Sequence, residues 1–181
     1  MKLKEKSCWF YIATALILVS ICAAAALVMA GINALTKDRI AENKAAEERE
    51  AMLALYPDAE DFEKLDYAGE SVRSVFAVKK GGNTVGYVVN TSTKGFADQI
   101  DMAVGINGDG VLCGVRVVST SETTGFSNEQ KRSEYLSGYV GQTSFIHVDA
   151  ISGATKSSNA AARAIEAAFS AYNDVVKGEA K

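Results

Sequence analysis

The run Asp149-Ala150-Ile151-Ser152-Gly153-Ala154-Thr155 sets two hydroxyls and a carboxylate around one glycine, and Lys156 follows at once. From Lys156 to Val176 the residues have the composition and spacing of a helix, so Thr155 stands where a helix begins. A hydroxyl there has two uses. It can act as the N-cap, accepting from the N–H groups of the first turn. It can also carry a phosphate, because those N–H groups are unpaired, the helix end bears a partial positive charge, and Lys156 adds a cation. Gly153 would let the chain turn tightly and let a ligand or a modifying enzyme come close. Ser152 is the nearest rival hydroxyl. A second polar loop holds Glu122, Thr124 and Gly125 after a strand, where ligand contacts commonly sit, although an exposed turn without a role has the same composition. Metal chemistry finds no support: Cys8, Cys22 and Cys113 are the 3 cysteines, no two of them form a C-x-x-C pair, and His147 is the 1 histidine. Zinc, haem and disulfide-framework readings fall with that spacing.

The elements that must hold these residues follow from periodicity. In the last helix Ala161, Ile165, Ala168, Phe169, Tyr172 and Val176 recur at three- and four-residue intervals, one apolar stripe for core packing. Val72 to Lys80 and Thr84 to Asn90 flank Gly81-Gly82-Asn83 as a hairpin. A second hairpin turns at Asn107-Gly108-Asp109-Gly110. Ile100, Met102, Val104 and Ile106 alternate before it, and Cys113, Val115 and Val117 share one face after it, which predicts a buried thiol at Cys113. A short helical stretch covers Glu129 to Leu136. The expected fold is α+β, an antiparallel sheet with helices packed on it.

Ahead of that domain, residues 8–30 run for 23 positions without a charge, enough helix at about 1.5 Å per residue to cross ~30 Å of hydrocarbon. Cleavable signal sequences have shorter apolar regions, about 7–15 residues, which favours an uncleaved anchor. Lys2, Lys4 and Lys6 precede the span with Trp9 and Tyr11 at its edge, so the N-terminus is expected in the cytoplasm and the remainder outside it. Residues 1–7 are then a cytoplasmic start, 8–30 the membrane helix, 31–70 a juxtamembrane helix ending at Pro57 plus an acidic linker from Asp58 to Gly69, 71–176 the folded domain and 177–181 a tail. With 48% apolar and 23% charged residues the chain supports a folded core, and a net charge of −3 without a basic stripe argues against nucleic acid as a partner.

The run from Asp149 to Thr155 resembles the flavinylation pattern D-x-x-(S/T)-G-A-(T/S), whose last hydroxyl residue carries FMN through a phosphoester bond. Chance would produce such a match roughly once in a thousand chains of this length. Lys94-Gly95-Phe96 and Glu122-Thr123-Thr124-Gly125-Phe126 look like two further segments of the FMN-binding domain family, with Thr124 for a usual proline and Phe126 for a usual leucine. The order of one span, a charged helix and this domain is similar to the G component of Rnf electron-transport complexes (RnfG). The alternative within the resemblance is the C component of the sodium-translocating NADH:quinone reductase, a relative with a larger extracytoplasmic part. The resemblance implies one covalent FMN on Thr155 and a cofactor site extending to Asp149, Ser152, Gly153, Ala154, Lys156, Glu122, Thr124 and Gly125. It also implies maturation by a flavin transferase and a place among the membrane and redox subunits of a ferredoxin:NAD oxidoreductase that translocates sodium ions or protons across a bacterial cell membrane. No nucleotide-binding glycine fingerprint or iron–sulfur cysteine set is present, so ferredoxin and NAD would fall to partner subunits. Two other classes stand beside this one: a stand-alone anchored flavoprotein serving an extracytoplasmic reductase, and an adaptor whose hydroxyl-rich loop only caps a helix.

Overall fold

The computed structural model describes residues 2–122 and 125–179. The chain divides into two compact units, Met1–Ala45 and Ala46–Lys181. Helix α1 spans Lys2–Leu55. Its apolar residues are bare, Trp9, Leu16 and Leu27 among them. Thr14 donates its hydroxyl to the Phe10 carbonyl at 2.9 Å and Ser20 to the Ile17 carbonyl at 2.7 Å, so these polar side chains are satisfied within the helix. That arrangement suits hydrocarbon, where an unsatisfied polar group is costly. Among the described residues this is the one helix long and apolar enough to cross a membrane, with a mean hydropathy of 2.6 in its best window.

The second unit is built on five antiparallel strands in the order of the chain: β1 (Asp61–Leu65), β2 (Val72–Lys80), β3 (Asn83–Lys94), β4 (Gln99–Asn107) and β5 (Leu112–Thr120). Lys80 pairs with Asn83 across the Gly81-Gly82 turn. A 3₁₀ turn (Gly125–Ser127) and helix α2 (Glu129–Ser137) follow, and α3 (Thr155–Glu179) closes the chain. Asn128 caps α2 by accepting from the Lys131 N–H at 3.0 Å.

Alternation decides the core. Ile100, Met102, Val104 and Ile106 of β4 and Val75, Tyr87 and Val89 of the neighbouring strands are buried under Ala161, Ile165, Ala168, Phe169 and Tyr172 of α3. The other sheet face has a smaller core, where Met52, Leu55 and Tyr56 cover Val78, Val88 and Ala103. Burial pushes the Tyr56 phenol well above its usual range, reinforced by the hydrogen bond from the Cys113 thiol at 3.2 Å.

Two expectations need correction here. The segment expected as acidic linker contains β1, an edge strand in which Phe62 packs on the smaller core and Leu65 on the larger. Its charged composition hid it; charges along an edge strand also discourage pairing with other chains. Cys113 is exposed rather than a core thiol. Ile106 pairs with Leu112 while Gly105 pairs with Gly114, so Cys113 is the extra residue of a bulge. The bulge shifts the phase of β5: Leu112, Val115 and Val117 face the large core, and Cys113 turns toward Tyr56.

Candidate functional site

The N-terminus of α3 is made by a tight loop. The Ala154 N–H donates to the Ile151 carbonyl at 2.9 Å, and the Ser158 N–H donates to the Ala154 carbonyl at 2.9 Å, the first bond of the helix. Ala154 therefore holds the N-cap position and Thr155 is the first helical residue, which corrects the expectation of a capping threonine. Ala154 is buried, whereas Ser152, Gly153, Thr155 and Lys156 are exposed. Among the described residues the Thr155 hydroxyl makes no hydrogen bond. It stands free beside the unpaired N–H groups of the first turn, a setting that favours an anion.

Gly153 has φ +79°, and a methyl there would meet nothing. The backbone conformation, and not space, requires glycine. Gly153→Ala is expected to cost about 1–2 kcal/mol by that strain, or else to reshape the loop and displace Thr155; thermal unfolding beside a loop-sensitive amide-exchange measurement would show which. An unchanged midpoint would refute the strain argument.

Opposite this turn lies a buried carboxylate. Glu122 accepts from the Ala97 N–H at 3.0 Å and the Asp98 N–H at 3.4 Å, and the Ser157 hydroxyl of α3 donates to its other oxygen. A methyl on Gly95 would overlap Glu122 Oε1, so the loop closes on the carboxylate only with glycine at that position. Burial by itself would raise the Glu122 carboxyl, but the hydrogen bonds from Ser157 and from the 96–98 backbone outweigh it and hold the group below its ordinary value of 4.5. A lowered value in the folded state means stability that is complete above pH 4.5 and lost as pH falls through the folded value. Acid unfolding of the full chain in detergent should steepen in that range, and Glu122→Gln should remove this group's share of the slope. An identical acid limb in the variant would count against it.

Other contacts bring distant segments to the same end of the sheet. The Thr93 hydroxyl donates to the Ala160 carbonyl at 2.9 Å, Arg163 donates to the Lys94 carbonyl at 3.1 Å, and the Tyr135 hydroxyl donates to the Ser158 carbonyl at 2.9 Å. Burial and its partner Tyr139 raise the Tyr135 phenol far above its usual range, so it remains a donor. Lys156 Nζ lies 5.5 Å from the centre of the exposed Phe96 ring, a cation–π contact. Gly125 rests against Ile151, Ser152 and Ala154, close enough that an added methyl would be 3.4 Å from the Ser152 carbonyl oxygen.

Of the residues singled out from the sequence, Ser152, Gly153, Ala154, Thr155, Lys156, Glu122 and Gly125 thus gather at one place. Asp149 is exposed and, among the described residues, has no hydrogen bond or ion pair. Thr124 lies outside the described residues. Sequence reasoning missed Ser157, Thr93 and Tyr135 as partners of the turn. The hydroxyl pair in Lys156-Ser157-Ser158 is the one local hint for Ser157, and nothing local marks the other two. The free hydroxyl, the adjacent N–H groups and the Lys156 ammonium together suit a phosphate monoester such as that of FMN.

Residues 95–170 match the family described as FMN-binding domain, and residues 12–55 match the RnfG N-terminal region. The G component of the ion-translocating oxidoreductase complex of Methanosarcina acetivorans is 32% identical over 166 residues, covering 83% of this chain and 88% of that protein. Its counterpart in the Na(+)-translocating ferredoxin:NAD(+) oxidoreductase complex of Acetobacterium woodii is 28% identical, covering 90% and 91%. The counterpart in the proton-translocating complex of Clostridium ljungdahlii is 24% identical, covering 81% and 83%. Likeness of that depth, sustained from the apolar helix through the turn at Thr155, means that the chain belongs to the RnfG family, the G components of ion-translocating oxidoreductase complexes.

Proposed function

We propose that this protein is the membrane-anchored electron-transfer subunit of an ion-translocating ferredoxin:NAD oxidoreductase, with FMN joined by a phosphoester to Thr155. The observation that carries the reading is the Thr155 hydroxyl: exposed, without a partner among the described residues, and placed at the first position of α3. Bound FMN supplies the redox chemistry, and the chain supplies its position and surroundings. Thr155 provides the ester oxygen. The first-turn N–H groups and Lys156 offset the phosphate charge, and Gly153 shapes the turn that exposes the hydroxyl. Asp149, exposed and unengaged among the described residues, is left for recognition by a flavin transferase. Expression of the full chain with such a transferase should give a protein band that fluoresces under ultraviolet light after denaturation; a dark band would refute covalent attachment.

The relatives' names supply the assembly. The lysines before the apolar segment favour a cytoplasmic N-terminus in the cell membrane and an extracytoplasmic flavin domain. A reporter fused to the C-terminus should be active only outside the cytoplasm, and cytoplasmic activity would reverse the orientation.

A further inference from the structure

Resemblance groups Glu122 with the cofactor contacts, yet both of its carboxylate oxygens are taken by this chain's own donors. The side chain is 5% exposed. It is fixed from two sides, by the N–H groups of the 95–98 loop and by Ser157, two residues beyond Thr155. The loop carries the exposed Phe96 and the helix turn carries Lys156, and those two side chains meet. The backbone holds Glu122 in turn, its N–H donating to the Thr120 hydroxyl at 3.3 Å. A carboxylate held by successive backbone N–H groups and a hydroxyl has little freedom, because each charge-assisted bond favours one geometry.

We propose that Glu122 is a positioning residue for the flavin: a buried strut that locks the first turn of α3 to the 95–98 loop, keeps Thr155 and Phe96 in register, and sets a fixed negative charge beside the attachment turn. The inference deepens the reading of Thr155 as the FMN anchor and rests on it for the cofactor. Its charge has a direct consequence. Reduction adds electron density to a flavin, and a nearby fixed anion opposes that addition, so Glu122 lowers the flavin's midpoint potential. Ionisation of Glu122 is consistent with the downward shift of its carboxyl; Lys156 precedes Ser157 on α3, and Lys94 and Asp98, 3.9 Å apart, flank the loop that donates to it.

Three full-length variants test the strut in detergent. Glu122→Gln keeps the shape and removes the charge, Glu122→Asp keeps the charge and shortens the reach, and Ser157→Ala removes only the helix side of the link. Amide exchange is followed on protein expressed without the transferase, and midpoint potential on flavinylated protein corrected for occupancy. Glu122→Gln should speed exchange at Ala97 and Asp98 about tenfold or more, and should raise the midpoint. Glu122→Asp should speed exchange while leaving the midpoint near that of the parent. Ser157→Ala should loosen the first turn of α3 and slow flavinylation. Parental exchange and an unchanged midpoint in Glu122→Gln would overturn the proposal; if that variant does not fold, parental exchange and flavinylation rate in Ser157→Ala would do so. A parent chain that takes no covalent flavin would sink the Thr155 reading instead, and the exchange result would still decide whether Glu122 is a strut.

Discussion

Thr155→Val should abolish covalent flavin and, in membrane vesicles, stop ferredoxin-to-NAD electron flow together with the ion gradient that depends on it. Valine reproduces the threonine's shape without the oxygen through which the proposed ester would form. Because Ala154 occupies the cap position, and the Thr155 hydroxyl makes no bond among the described residues, the change should cost no more than about 0.5 kcal/mol of stability. Loss of cofactor with an intact fold separates this substitution from one that merely unfolds the protein. Ser152→Ala is the control and should retain both flavin and electron flow. Fluorescence of the denatured band, thermal unfolding and vesicle activity are measured on the same preparations. Full electron flow through an unflavinylated Thr155→Val complex would remove this protein from the electron path.

Phe126→Ala should have the largest effect on the fold. The ring is fully buried in the main core, and its backbone carbonyl accepts from Arg132 at 3.2 Å. Removing a buried aromatic ring costs about 3–5 kcal/mol through lost burial and the cavity left behind. Against total stabilities of about 5–15 kcal/mol that is a large fraction, enough to lower the unfolding midpoint by on the order of 10 °C. The neighbouring Gly125 rests on the Ile151–Ala154 loop, so the variant should also loosen the turn before α3. Thermal unfolding in detergent checks the first effect and amide exchange at residues 151–158 the second. Val140→Ala, at an exposed position, serves as reference and should shift the midpoint little. A Phe126→Ala midpoint close to that of the reference would contradict the buried role.

The two hairpins and the last helix are legible in the sequence because their signals are local. Ile100, Met102, Val104 and Ile106 alternate without interruption, and all four are buried in the main core. The stripe from Ala161 to Tyr172 lies on the covered face of α3 for the same kind of reason. Cys113 misleads because a bulge adds one residue to one strand and leaves the composition of the strand unaltered. β1 escapes notice because Phe62 and Leu65 are its only apolar residues and Asp61, Glu63 and Lys64 make it look like solvated linker. At the site, the motif draws attention to Thr155, but its exact helical position depends on a turn closed by Ile151. The embrace of Glu122 by the 95–98 loop and Ser157 is purely tertiary; residues 25 and 35 positions away supply the donors.

The order of the strands bears on how the molecule matures. Each strand pairs with its neighbour in sequence, so the sheet can zip together from short-range contacts as the chain emerges. The turn before α3 has no such shortcut. It needs Thr93 to find Ala160 across 67 positions and Glu122 to find Ser157 across 35, and both wait for the last helix. Partly folded chains would therefore hold a sheet but no completed turn at Thr155. With FMN joined to Thr155 as proposed, covalent loading would double as a stamp of completed folding: a chain arrested before the last helix docks would stay unmodified, and the assembly would receive the cofactor only on subunits that have already finished.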